Sequence, residues 1–273
     1  MSVVKRSFDC LFSSNPNQGA SNVSADGGSF NVRLDSDGFN IPPTALNPEI
    51  QVVSAELWWN TPNITEENNK FNYNGTTVTI PVGLYDLPSL NKTVQLALGG
   101  PLVTFSSDDA QGKVVMTVKD TGKYVNFSIP NSIHKLLGFD ASRYPKPTPN
   151  NQNPVTTTTG QSFTGETQAG FSNVAYFLLQ SSLIGKGILT NGNYNQIIAK
   201  ILIPKGTGVG SQILYEPQNP TLIDASALKG DTGKRSYRFA LLDSNGNQVD
   251  TLGEYWSLQV RVSYYEPVNF NLF

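Results

Sequence analysis

Asp243, Asn245, Asn247 and Glu254 stand at positions 1, 3, 5 and 12 of one stretch, Asp243-Ser-Asn-Gly-Asn-Gln-Val-Asp-Thr-Leu-Gly-Glu254. That is the oxygen-ligand spacing of a calcium loop, but the sixth position, where such a loop needs glycine, is Gln248. The flanks read as strands, and Ser-Asn-Gly-Asn is a strong turn on its own, so the segment is expected to be a turn. His134 is the sole histidine and Cys10 the sole cysteine, which removes most zinc sites, paired-imidazole chemistry and any intrachain disulfide. No serine sits in a Gly-x-Ser-x-Gly elbow that would make it a nucleophile for His134. Glu66-Glu67 and Asp108-Asp109 are adjacent acids. Glycoside hydrolysis needs two carboxyl groups converging at about 5–10 Å, and neighbours along a strand diverge. Gly206-Thr-Gly-Val-Gly210 lacks the following helix and acidic partner of a dinucleotide loop and reads as a hairpin loop. Gly230-Asp-Thr-Gly-Lys-Arg235 has the wrong spacing for a phosphate loop and no Ser or Thr after Lys234. The expectation is no enzyme, no metal and no cofactor.

The bulk composition agrees. Of 273 residues, 38% are hydrophobic and only 15% charged, so the chain can bury a core but is poor in the groups that do acid–base work. Lys plus Arg is 19 and Asp plus Glu 21, a net charge of −2 that speaks against a nucleic-acid partner. Lys5-Arg6 beside Val3, Val4 and Phe8 is too little charge for stable membrane anchoring. No apolar run approaches the roughly 20 residues of a membrane span, and the N-terminus has no signal-peptide core, so the protein is expected to be made in the cytoplasm. Five Asn-x-Ser/Thr sequons, at Asn22, Asn63, Asn74, Asn91 and Asn126, are about what chance gives in so Asn- and Thr-rich a chain.

The elements that must position these residues are mostly short strands. Apolar alternation predicts strands over 29–35, 49–60, 76–82, 173–183, 196–203, 212–216, 236–243 and 255–265. Trp58 and Trp59, adjacent on one strand, must point to opposite faces. Leu87, Leu90, Val94 and Leu98 recur at helical spacing between a capping Asp86 and Gly99-Gly100. Lys113–Asp120 and Lys123–Ile129 read as a hairpin turning at Asp120-Thr-Gly122, and Asn131 to Gly138 as a helical turn capped by Asn131. Residues 140–168 lose periodicity and are expected to project as a long loop. The fold class expected is all-β, a single jelly-roll sandwich with two short helices in crossover loops. The expected division is an N-terminal arm with its leading strand over 1–49 and the jelly roll over 50–273.

The order of segments resembles a known family. Gly83-Leu-Tyr-Asp-Leu-Pro-Ser-Leu-Asn-Lys-Thr-Val94 is followed by Ile133-His-Lys-Leu-Leu-Gly-Phe139 and Asn173-Val-Ala-Tyr-Phe-Leu-Leu-Gln180. Then come Ile198-Ala-Lys-Ile-Leu-Ile203, Tyr215-Glu-Pro217, Phe239-Ala-Leu-Leu-Asp-Ser-Asn-Gly246 and Gly253-Glu-Tyr-Trp-Ser-Leu-Gln-Val-Arg-Val262. Together they resemble the penton, or minor capsid, proteins of virophages and Polinton-like viruses, of the mavirus type, over roughly residues 50–265. The resemblance implies a non-catalytic virion protein. Five copies would ring each five-fold vertex of an icosahedral shell, with further copies of itself and the major capsid protein as partners. Val3, Val4, Phe8, Leu11 and Phe12 are expected to dock the arm on a neighbouring capsid subunit or inner shell component, so that deleting residues 1–14 impairs capsid incorporation but leaves the isolated fold intact. A second reading is a receptor-binding or lectin-like jelly roll using loop 140–168 or 206–210. A third is a carbohydrate-active enzyme on a β-sandwich.

Overall fold

The computed structural model describes residues 2–34, 38–120, 122–141, 161–171, 174–190, 193–204, 207–208, 210–230 and 236–268. They form two compact units, one from 1–61 with 174–273 and one from 62–173. The first unit opens with β1 (Ser2–Ser13), β2 (Ala20–Ser21), β3 (Ser29–Arg33) and β4 (Leu46–Trp59). The second holds β5 (Lys70–Tyr73), β6 (Thr76–Thr79), α1 (Leu87–Leu98), β7 (Val103–Asp108), β8 (Lys113–Val118), β9 (Val125–Asn126), α2 (His134–Leu137) and β10 (Gln161–Thr164). The chain returns to the first unit with β11 (Tyr176–Ser181), β12 (Leu189–Thr190), β13 (Asn193–Tyr194), β14 (Ile197–Leu202), β15 (Ser211–Tyr215), β16 (Ile223–Asp224), β17 (Ser236–Leu242) and β18 (Ser257–Val268).

Eight of these strands identify the fold by their pairing. In chain order they are β1, β3, β4, β11, β14, β15, β17 and β18. The first pairs with the eighth, the second with the seventh, the third with the sixth and the fourth with the fifth, all antiparallel. Two further pairings, β18 with β4 and β17 with β11, join these into the sheets β1-β18-β4-β15 and β14-β11-β17-β3. An antiparallel ribbon folded in half and wrapped into two sheets gives this order, which is that of a jelly roll. The expected fold class is therefore the observed one. Both helices lie in the connection between the third and fourth strands, where the chain leaves one sheet for the other.

The division of the chain differs from the expected one. Residues 62–173 are a compact unit inserted in that connection, with a core of their own around Phe71, Leu90, Met116 and Phe127. Residues 2–13 form no loose arm: β1 pairs with β18 over its whole length, from Ser2↔Val268 to Ser13↔Ser257. Phe12 lies 3% exposed in the sandwich, its ring 4.5 Å from Phe239 of the opposite sheet. Phe239 stacks on Phe30 (5.3 Å), and Phe30 meets Trp256 edge-on (4.9 Å). This run of rings ties β1 and the segment before β18 to β3 and β17. Deleting residues 1–14 would remove a structural strand, so the expectation that the fold survives is withdrawn.

Inside the inserted unit, β8 pairs with β7 and β10, while β9 pairs with β5. The expected hairpin over 113–129 is thus absent, because its two arms belong to different sheets. Helix α1 follows its local chemistry: Asp86 accepts from the Ser89 amide (2.8 Å), Ser89 Oγ accepts from the Asp86 amide (3.0 Å), and Gly99 closes it at φ 72°. Helix α2 starts at Ile133 without a side-chain cap; Asn131 instead turns at φ 58°, its carbonyl accepting from the Lys70 amide. The expected loop at 140–168 falls partly on residues 142–160, outside the described ones. Its end is not loose: β10 pairs with β8, Gly165 donates to Val114, and Thr167 to Gly138.

Candidate interaction surfaces

The outer face of sheet β1-β18-β4-β15 carries exposed apolar and charged side chains, among them Leu11, Leu214 and Glu56. Register aligns Ser13, Ser257, Glu56 and Leu214 in one cross-strand row and Leu11, Gln259 and Ser54 in the next. Trp59 points into the core (7% exposed), edge-on to Phe177 at 6.0 Å. Trp58 therefore points out, as alternation requires. With Leu11 (71% exposed), Glu56, Gln212 and half-exposed Tyr255, it lines an open depression of about 400 Å³. Gly210, at the end of the glycine-rich segment, reaches β4: its amide donates to the Trp59 carbonyl (2.8 Å). That segment joins β14 in one sheet to β15 in the other, so it is an inter-sheet connection and not the expected hairpin loop. Residues 205, 206 and 209 lie outside the described ones.

Further along the same face, Arg261 grips Asp9 through Nε and Nη2 (2.7 and 2.9 Å), and Gln259 donates to it as well (3.0 Å). The Arg261 hydrogen bonds hold the Asp9 carboxyl below its ordinary pKa. Arg6 pairs with Glu266 (2.9 Å). Both pairs are solvent-exposed, so they order the surface more than they stabilise it.

The inserted unit has a groove of about 550 Å³ lined by Tyr73, Thr77, Thr79, Leu98, Asp120 and Lys123. Burial, then the Asp120 charge, raises the Tyr73 hydroxyl above its ordinary pKa.

The residues singled out for chemistry are dispersed. Asp243 Oδ1 accepts from the amides of Asn245 (2.8 Å) and Asn247 (2.9 Å), so the calcium-like stretch is a turn held by its own carboxylate. Among the described residues no three His, Cys, Asp or Glu side chains gather as metal ligands. His134 opens α2; burial, then Lys135, lowers its pKa, and its Nδ1 is buried without a hydrogen-bond partner. Glu66, Glu67 and Asp109 are exposed. Of the segment 230–235 only Gly230, at φ 65°, is described. Cys10 is half-buried, and burial followed by the Asp9 charge pushes its thiol up to about 11.

The five expected docking residues divide by burial. Phe12 is core, so it is not available to a neighbour without opening the sandwich; Phe8 is half-buried, its ring 6.3 Å from that of Phe39. Val3 (45%), Val4 (39%) and Leu11 (71%) are exposed. Sequence reasoning missed Tyr255 and Glu56 beside Trp58, and also Asn63. Asn63 is 2% exposed; it donates to the Tyr85 and Phe171 carbonyls (2.7 and 2.9 Å) and accepts from the Tyr85 amide (2.9 Å). A sequon asparagine with so full a set of partners is a structural anchor, and only burial distinguishes it from the other four.

No family model matches the chain, and no curated protein matches it. Among solved structures it is similar to the selenomethionine-labelled mavirus penton protein, at 10% identity and a TM-score of 0.48, with 96% of this chain and 100% of that one covered.

Proposed function

We propose that this chain is a structural capsid protein whose five copies close a ring at each five-fold vertex of an icosahedral virus shell. The observation that carries the reading is the eight-strand pairing of a jelly roll, built from segments whose order resembles the virophage penton family. Jelly rolls recur in capsids and lectins alike, so the fold narrows the function and the segment order supports the capsid reading. A five-membered ring needs a heterologous contact, one patch meeting a different patch on the next copy. A net charge of −2 leaves little repulsion among five identical neighbours. The partners are then further copies of the chain and the major capsid protein, and the place of work is the virion, after synthesis in the host cytoplasm. Cross-linking mass spectrometry on purified particles tests this: links between this chain and the major capsid protein support it, and particles free of the chain refute it.

One observation favours a second role, receptor attachment. Trp58 and Tyr255 open on the face of the sheet near Gly210, and aromatic faces in a shallow depression suit a sugar ring. Binding on a glycan array that Trp58→Ala abolishes would establish it; an array with no hits removes it.

A further inference from the structure

Among the described residues β1 is the one long sheet edge of the first unit. It runs 12 residues, against six for β14, five for β15 and two for β2 at the other ends of the two sheets. Among the described residues its far side pairs with no strand. Bare edges of this length template the addition of another strand.

The geometry says which strand fits. The Ser14 amide donates to the Trp256 carbonyl (2.9 Å), continuing the unbroken register from Ser13↔Ser257. Residues of β1 with even numbers therefore turn their N–H and C=O groups toward β18, and those of Val3, Lys5, Ser7, Asp9 and Leu11 turn outward. A second strand must hydrogen-bond to these odd residues. A second copy of β1, antiparallel about a two-fold axis at Ser7, meets that demand: Val3 lies opposite Leu11, Lys5 opposite Asp9, and Ser7 opposite itself. Two exposed apolar side chains then cover each other, and Lys5 reaches the carboxylate already held by Arg261. Shifting the axis to residue 6 or 8 keeps the backbone match but sets Val3 against Asp9 or Lys5 against Leu11.

We propose that β1 is a self-complementary docking edge through which two copies of this chain join their sheets, in the register Val3↔Leu11, Lys5↔Asp9 and Ser7↔Ser7. Each outward pair exchanges two backbone hydrogen bonds, about ten in all. The contact is isologous, so it is separate from any five-fold contact and does not rest on the capsid reading. Lys5 would deter an arbitrary strand at this edge, and only this register gives it a counter-charge.

Sedimentation and disulfide trapping of the full chain test the register. The chain is expected to form a dimer that grows with concentration. Ser7→Pro removes an outward N–H on each copy and leaves the β18 ladder intact; it should weaken association by about tenfold or more, with the tryptophan-detected unfolding midpoint unchanged. Under mild oxidation Ser7→Cys should trap the dimer, because hydrogen-bonded cross-strand Cα atoms sit about 5.5 Å apart. Lys5→Cys, Asp9→Cys and Leu11→Cys, each opposite a different residue, should not self-link. A wild-type monomer with no trapping at position 7, equal trapping at all four positions, or association indifferent to Ser7→Pro would overturn the proposal. Should Ser7→Pro fail to fold, the cysteine series decides alone.

Discussion

Leu11 and Phe12 are neighbours on β1 with opposite surroundings, and comparing them measures whether the N-terminal strand is built into the sandwich. Phe12 is 3% exposed against Phe239; Leu11 is 71% exposed. Truncating a buried phenylalanine to alanine removes its transfer free energy and leaves a cavity, about 3–5 kcal/mol in all. Truncating an exposed leucine costs within about 0.5 kcal/mol. With an m-value of about 2–3 kcal/mol/M in urea, Phe12→Ala should lower the unfolding midpoint by about 1–2 M and Leu11→Ala by less than about 0.3 M. The assay is well placed, since the three tryptophans, Trp58, Trp59 and Trp256, all belong to the jelly-roll unit and intrinsic fluorescence reports its unfolding alone. If the two substitutions shift the midpoint equally, or neither shifts it, β1 is not packed as described, and the edge proposed for docking falls with it.

Other outcomes follow from buried and half-buried polar groups. Burial raises the Asp26 pKa, but hydrogen bonds from Ser24, the Gly28 amide and Gln248 outweigh it and leave the carboxyl below its ordinary value. Its stabilising contribution should be present above about pH 4 and be lost as pH falls through the lowered folded value. Asp26→Asn should cost about 1–3 kcal/mol at pH 7 and flatten this acid limb, as read by urea unfolding at pH 7 and pH 3. Cys10, with its thiol pushed up to about 11, should react with a thiol reagent at pH 8 about a hundredfold more slowly in the folded protein than in denaturant. Asn63→Ala strands the Tyr85 and Phe171 groups and should speed hydrogen exchange at Tyr85 and its neighbours by about 30- to 100-fold, about 2–3 kcal/mol.

The elements legible in the sequence are those whose signal is local or whose face is buried. Helix α1 carries its cap, proline and closing glycine within a few residues, and its bounds match expectation. β17 and β18 alternate because one face meets the core. β1 escaped recognition because Ser2–Ser7 are exposed on both faces, which leaves no burial to impose alternation; only Phe8, Cys10 and Phe12 mark the inward side. The inserted unit escaped because Asp120-Thr-Gly122 has hairpin chemistry yet joins β8 to a strand that pairs elsewhere, and no local signal encodes that choice. The opposed tryptophans were legible from the two-residue period. The depression that Trp58 shares with Leu11 and Tyr255 was not, since it depends on the register of strands more than a hundred residues apart.

Cryo-electron microscopy of shell particles from cells producing this protein bears most directly on the capsid assignment. The expected density at each five-fold vertex is five copies of a jelly roll with sheets β1-β18-β4-β15 and β14-β11-β17-β3, each carrying the unit inserted between its third and fourth strands. Vertices filled by another protein, in particles that lack this chain, would contradict the account.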